Sequence, residues 1–164
     1  MNQVTKKIRQ VVVAALVMVL ITSCDPAKKF EKQEKESIQT YLNNNPDLNY
    51  ELKPSGLYFL EVVAGTGSDA KVHDTVSVMY RAKFLNGYEF DTNYDDKDTL
   101  KFAIGEGAML QGFEEGLMFM YVGGKSKLLV PSFLGYGNYH PYMQPYTPIL
   151  FEVELTKVIP GVGI

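Results

Sequence analysis

The chain has 164 residues, 46% of them hydrophobic, and a formal net charge of −3, which suits one ordinary domain with appendages. Its single Cys excludes an intrachain disulfide framework and a Cys-rich zinc site, and its two His do not furnish a His-rich one, so no metal is expected. With no basic block in its central part, the chain is not expected to bind nucleic acid.

The N-terminus reads as an address. Lys6, Lys7 and Arg9 precede an unbroken apolar run from Val11 to Ile21. That run is too short for a bilayer span, which needs about 20 residues, but fits the apolar core of a signal peptide. Ile21-Thr22-Ser23-Cys24 follows, and here the sequence resembles a bacterial lipoprotein signal. The resemblance implies cleavage before Cys24, lipidation of Cys24, and anchoring to a membrane of the cell envelope, inner or outer. Cleavage would take Lys6, Lys7 and Arg9 from the 16 basic residues and leave 13 against 19 acidic ones. Residues 1–23 are assigned to the signal, 24–52 to a tether with a short helix, and 53–164 to the folded domain.

In the tether, Asp25 is placed to cap a helix and Pro26 to begin it. Glu31 with Lys35 and Lys32 with Glu36 form i,i+4 pairs. Phe30, Ile38, Tyr41 and Leu42 make a thin apolar stripe. The spacing predicts a helix from about Lys29 to Leu42, stopped by Asn43-Asn44-Asn45-Pro46. Its charged surface reads as a solvated spacer, with a dimerising helix as the sharper alternative.

Strand patterns follow. Leu57 to Val63 is a candidate strand, and Gly65-Thr66-Gly67-Ser68-Asp69 is turn chemistry. From Thr75 to Leu85 the residues alternate, with Val76, Val78, Tyr80, Ala82 and Phe84 on one face. Asn86-Gly87 is a strong hairpin signal, and Tyr88 to Asp91 leaves it as the next strand. Thr92 to Thr99 is a polar loop, and Leu100 to Ile104 is again a strand. Met109, Leu110, Phe113, Leu117 and Met120 recur at helical spacing, with Glu114 and Glu115 on a solvated side and Gly123-Gly124 as the stop. Lys125 to Val130 is a strand ending at Pro131. A long loop to Pro148 carries Tyr136, Tyr139, Tyr142 and Tyr146. Ile149 to Ile159 closes the domain, with Ile149, Phe151, Val153 and Leu155 facing inward. The fold class is α+β: an antiparallel sheet of about five strands with one short helix packed on a face.

Nucleophilic chemistry is poorly supplied. No G-x-S-x-G elbow is present, Gly105-Glu106-Gly107 lacks the rest of a phosphate loop, and the lone Cys is used by the lipid signal. His73 reads as a solvent-facing turn residue, and His140 is a lone His that could line a pocket. What remains is an aromatic, apolar surface with few polar groups. Such a surface suits apolar peptide binding, and also a reaction that needs no nucleophile: rotation about an X–Pro bond, whose barrier of about 18–20 kcal/mol comes from amide resonance.

The ordered blocks are Val76-Ser77-Val78-Met79-Tyr80, Asn86-Gly87-Tyr88-Glu89-Phe90-Asp91, Phe102-Ala103-Ile104-Gly105, Gly112-Phe113-Glu114-Glu115-Gly116-Leu117, Val122-Gly123-Gly124-Lys125, Tyr136-Gly137 and Leu150-Phe151-Glu152-Val153-Glu154-Leu155. Through them, from about Lys53 to Val158, the chain resembles an FKBP-type peptidyl-prolyl cis-trans isomerase domain. The resemblance implies a bent antiparallel sheet wrapped round one helix, with a proline site between them, proline-containing polypeptide clients and no cofactor. It further implies that Tyr80, Phe90 and Phe151 wall the pocket and that Phe113 takes the place of a floor that is often Trp. Met109 and Leu110 would meet the substrate at the helix entrance, the Leu110 N–H and the Tyr136 hydroxyl would donate to it, and Asp91 would set the polar edge. Leu100 stands where an aromatic wall is common, and the loop 138–145 is bulkier than the family's usual one. Asp91, Tyr136 and Phe90 are therefore the catalytic candidates. Tyr80, Leu100, Met109, Leu110, Phe113 and Phe151 are the substrate-binding ones. A proline-binding module with negligible turnover is the alternative.

Overall fold

The computed structural model describes residue 3, residues 26–95 and residues 98–161. The rest of the expected signal segment, Cys24, Asp25 and the loop-tip residues Asp96 and Lys97 lie outside the described residues. In chain order the elements are α1 (Pro26–Asn44), β1 (Glu51–Leu52), β2 (Tyr58–Val63), β3 (Thr75–Lys83), β4 (Glu89–Thr92), β5 (Leu100–Ala103), α2 (Gln111–Leu117), β6 (Lys125–Val130), a 3-10 turn (Ser132–Leu134) and β7 (Ile149–Ile159).

The described strands form one antiparallel sheet in the order β1-β2-β6-β7-β3-β4, with β5 also on β3. Its axis is the long β3–β7 pairing, from Thr75 opposite Ile159 to Lys83 opposite Leu150. The other edge of β3 is divided: Val78 and residues before it pair with β5, while Arg81 and residues after it pair with β4. Asn93 fills the gap between them. Its Oδ1 accepts the Tyr80 N–H at 2.8 Å, and its Nδ2 donates to the Val78 and Asp98 carbonyls at 3.0 Å each. A side chain thus replaces the missing strand bonds, as the rule that buried backbone groups find partners demands.

The alternation predicted for β3 and β7 puts Val76, Val78 and Ala82 with Phe151, Val153 and Leu155 in the main core, together with Leu57, Ile104, Leu117, Leu128 and Val130. Asn86-Gly87 makes the turn it predicts: Gly87 has φ 88°, and the Asn86 side chain accepts the Tyr88 N–H at 2.9 Å. The two-residue β1 is an addition that the sequence did not announce.

The helix α2 is shorter than its apolar spacing suggested, spanning seven residues. Met120, at the end of the stripe, lies beyond the helix yet is buried. Two glycines let α2 lie close against the sheet. A Cβ on Gly112 would stand 2.6 Å from Val130 Cγ1, and one on Gly116 would collide with Leu128.

The solvated-spacer reading of α1 is corrected. This helix lies on the outer face of the sheet, where Ile38 is buried with Leu129 and Leu150, flanked by Tyr41, Leu42, Tyr50 and Tyr58. Leu150 points outward by strand alternation, and α1 is what buries it. Farther along the same sheet, Lys83 and Lys127 grip the Glu152 carboxylate at 2.8 and 3.1 Å.

Candidate functional site

The aromatic residues of β3, α2 and β7 meet on the inner face of the sheet. Phe113 is fully buried. Its ring centroid lies 4.9 Å from Phe151 and 5.9 Å from Tyr80, both edge-on, and 6.1 Å from Phe102. Tyr80 and Phe151 are themselves 6.4 Å apart. Edge-to-face contacts of this kind are the favoured arrangement of ring quadrupoles, so each ring fixes the orientation of the next. Around this group Tyr80, Phe90, Leu100, Met109 and Leu110 are partly buried hydrophobics packed on the core. The predicted binding residues Tyr80, Leu100, Met109, Leu110, Phe113 and Phe151 therefore border one apolar core cluster.

The polar groups gather at one edge. Asp91, on β4, is exposed and accepts the Tyr80 hydroxyl at 2.8 Å. The β3–β4 pairing makes this contact possible, because Ala82 stands opposite Asp91 and Arg81 opposite Thr92. Burial, the bond to Asp91 and its charge, and Tyr136 all push the Tyr80 hydroxyl above the usual tyrosine range. Burial and the charge of Asp91 also raise Tyr136. Both phenols therefore remain protonated donors at neutral pH, and Asp91 is the group they share. Phe90 stacks on Phe84 at 4.7 Å, and the Tyr136 ring meets His140 at 4.5 Å in a tilted contact.

Glu114 is a second correction. It was expected on a solvated side, but it is 7% exposed. Its carboxylate accepts the N–H groups of Gly105 at 2.7 Å and Met109 at 3.0 Å. The loop before α2 wraps over the helix side that periodicity had assigned to solvent. Glu114 holds that loop and so fixes the approach to Met109 and Leu110. Its negative charge in the first helical turn also suits the helix dipole. Glu115, its neighbour, accepts the Ser55 hydroxyl at 2.6 Å.

Several participants were not singled out in the sequence. Phe102 and Phe84 extend the aromatic group, and Asn93 shapes β3 beneath Tyr80. Phe102 had a readable signal, since it opens the block Phe102-Ala103-Ile104-Gly105. Asn93 had none, because a polar residue in a polar loop looks like any other. His73 is exposed with φ 71°, a turn geometry in keeping with the role expected for it. Among the described residues no group of three or more His, Cys, Asp or Glu could hold a metal ion.

The arrangement offers an apolar base of rings, a carboxylate and two phenolic donors. It contains no nucleophile–base pair of the kind that covalent catalysis requires. It can hold an apolar ring and orient a neighbouring amide.

The family model described as FKBP-type peptidyl-prolyl cis-trans isomerase matches residues 67–156. The FK506-binding protein of Neisseria meningitidis serogroup B is 35% identical over 105 residues, covering 63% of this chain and 96% of that protein. The FKBP-type peptidyl-prolyl cis-trans isomerase FkpA of Escherichia coli K12 is 37% identical over 108 residues, covering 65% of this chain but 39% of that protein. The crystal structure of Escherichia coli FkpA superposes with a TM-score of 0.72 at 29% identity, covering 94% of this chain and 73% of that one.

Proposed function

The chain belongs to the family of FKBP-type peptidyl-prolyl cis-trans isomerases, and we propose that it turns X–Pro bonds in the cavity based on Phe113. The observation that carries this reading is the junction of the Phe113, Phe151 and Tyr80 rings with the Tyr80–Asp91 hydrogen bond. The proline ring enters between Tyr80, Phe90 and Phe151, above Phe113, which is buried beneath them. Met109 and Leu110 border the entering peptide, and Leu100, packed on the same core, lines the wall beside them. The Tyr136 hydroxyl and the Leu110 N–H hold the substrate carbonyls.

Rotation breaks no bond to a heavy atom. It costs amide resonance, so a site accelerates it by binding the twisted amide better than the planar one. An apolar base strips water from the carbonyl, whose polar planar form loses more by desolvation than the twisted form. The Asp91 edge favours the same change electrostatically. A rate gain of about 10⁴ requires about 5.4 kcal/mol of such preference.

The test is a protease-coupled or refolding-limited proline assay on the full chain, alongside Asp91→Ala and Tyr136→Phe. Exchange at the uncatalysed rate by folded wild-type protein refutes the reading, and peptide binding without turnover selects a binding module instead.

Cys24 carries the lipid anchor that places the domain at a membrane of the bacterial envelope, where its clients are unfolded proline-containing chains. This reading is supported by the signal-like segment ending at Cys24. Among the described residues no helix is long and apolar enough to cross a membrane. Metabolic labelling with a fatty acid should mark wild type and leave Cys24→Ala unlabelled; equal labelling overturns the anchor.

A further inference from the structure

The stripe of α1 contains an acid that an apolar stripe should not have. Phe30, Glu34 and Ile38 follow at i, i+4, i+8 and so share a helix face, and that face is turned to the sheet. Glu34 is 9% exposed, and it is not wasted there. Its two carboxylate oxygens accept the Ser132 backbone N–H at 2.5 Å and the Ser132 hydroxyl at 2.8 Å. Ser132 is itself 1% exposed. Its carbonyl accepts the N–H groups of Gly135 at 2.9 Å and Gly137 at 2.7 Å, the two residues on either side of Tyr136.

The far end of the same loop is held by the same helix face. Tyr146 stacks on Phe30 at 6.4 Å with an interplanar angle of 9°. The Tyr146 N–H donates to the Gly137 carbonyl at 2.9 Å. Tyr136 therefore sits between two anchors, and each leads back to α1 within two contacts. Tyr136 itself is 37% exposed, and its ring meets that of His140 at 4.5 Å.

We infer that Glu34 is a positioning residue for the isomerase site: through Ser132, α1 holds the loop that aims the Tyr136 hydroxyl at the substrate. The inference rests on the reading of Tyr136 as a substrate donor given above. Its chemistry explains why a carboxylate is buried on this face. A buried carboxylate is retained only where donors meet it, and both donors here belong to the residue at the root of the Tyr136 loop.

The experiment is a double-mutant cycle on the full chain. Glu34→Ala and Ser132→Ala are each made in wild type and in Tyr136→Phe, with kcat/KM measured on a proline peptide and folding checked by near-ultraviolet circular dichroism. Glu34→Ala should lower kcat/KM by about tenfold, the scale of a misplaced positioning group. Ser132→Ala, which leaves the backbone N–H on the carboxylate, should lower it less and keeps the cycle readable if Glu34→Ala does not fold. In the Tyr136→Phe background neither substitution should have a further effect. Equal losses in both backgrounds, or none in either, overturn the inference. The Tyr136 ring resonances give an independent readout: they should shift in Glu34→Ala, and unmoved resonances overturn the brace. A fully active Tyr136→Phe refutes the role of Tyr136 instead, while the resonances still judge the brace.

Discussion

Replacing Glu114 by Ala removes the acceptor for two backbone N–H groups at once, those of Gly105 and Met109. A bond from a donor to a charged acceptor is worth about 1.5–3 kcal/mol net, and a buried donor left unpaired costs about 1–3 kcal/mol. Gly105 is exposed and regains water, whereas Met109 is half-buried and regains less. The expected loss is therefore about 3 kcal/mol rather than the sum of two full penalties. Glu114→Gln keeps one carbonyl acceptor and should fall between wild type and Ala. Urea unfolding followed by circular dichroism gives the three values from midpoints at a common slope. Because the freed loop carries Met109 and Leu110, proline-peptide affinity should fall in the same order. An Ala variant within about 0.5 kcal/mol of wild type, the range of ordinary surface changes, would refute the account of Glu114 as the clamp of the loop.

Phe113→Ala should cost about 3–5 kcal/mol, as for other buried aromatic truncations, and should also weaken proline-peptide binding in calorimetry. Lower stability with unchanged affinity would remove Phe113 from the pocket. Tyr136 is held up by burial and by the charge of Asp91, so Asp91→Asn should let its phenolate form at lower pH, visible in a phenolate absorbance or NMR titration; an unmoved titration contradicts the shared polar edge. Burial pushes the Glu152 carboxyl up, but its bonds to Lys83 and Lys127 outweigh this and hold it below the ordinary carboxylate range. A depressed carboxylate stabilises the fold above its unfolded pKa and loses that contribution as pH falls through the folded one. The stability gap between wild type and Glu152→Gln should therefore be present near neutral pH and close only as the pH falls below the ordinary carboxylate range; a gap that persists in strong acid would refute it.

Alternation and turn chemistry made most of the sheet legible. Val76, Val78 and Ala82 had to face one way, and Asn86-Gly87 had to reverse the chain. The aromatic base was legible for the same reason, since Tyr80 and Phe151 lie on inward positions of adjacent strands. Periodicity failed where a residue's neighbour comes from a distant loop. Glu114 looks like a solvent-facing acid until the segment 105–109 is laid over it, and Glu34 looks misplaced on an apolar stripe until Ser132 meets it. Leu150 looked like an outward residue of β7, and only the docking of α1 explains why it is apolar. Sequence spacing reports which face a side chain shares, but not what covers that face.

Gly112 and Gly116 sit where α2 touches β6, with no room for a methyl group between them. They act as a zero-thickness spacer between helix and sheet. The ring of Phe113 is carried on that helix, so the separation at the glycines sets how close it stands to the Tyr80 and Phe151 rings. The depth of the proposed proline pocket would thus be controlled from the back of the helix. A chain with alanine at either position would have to lift α2 away from Val130 or Leu128, altering the size of ring the proposed cavity would admit while every residue proposed to line it stays the same.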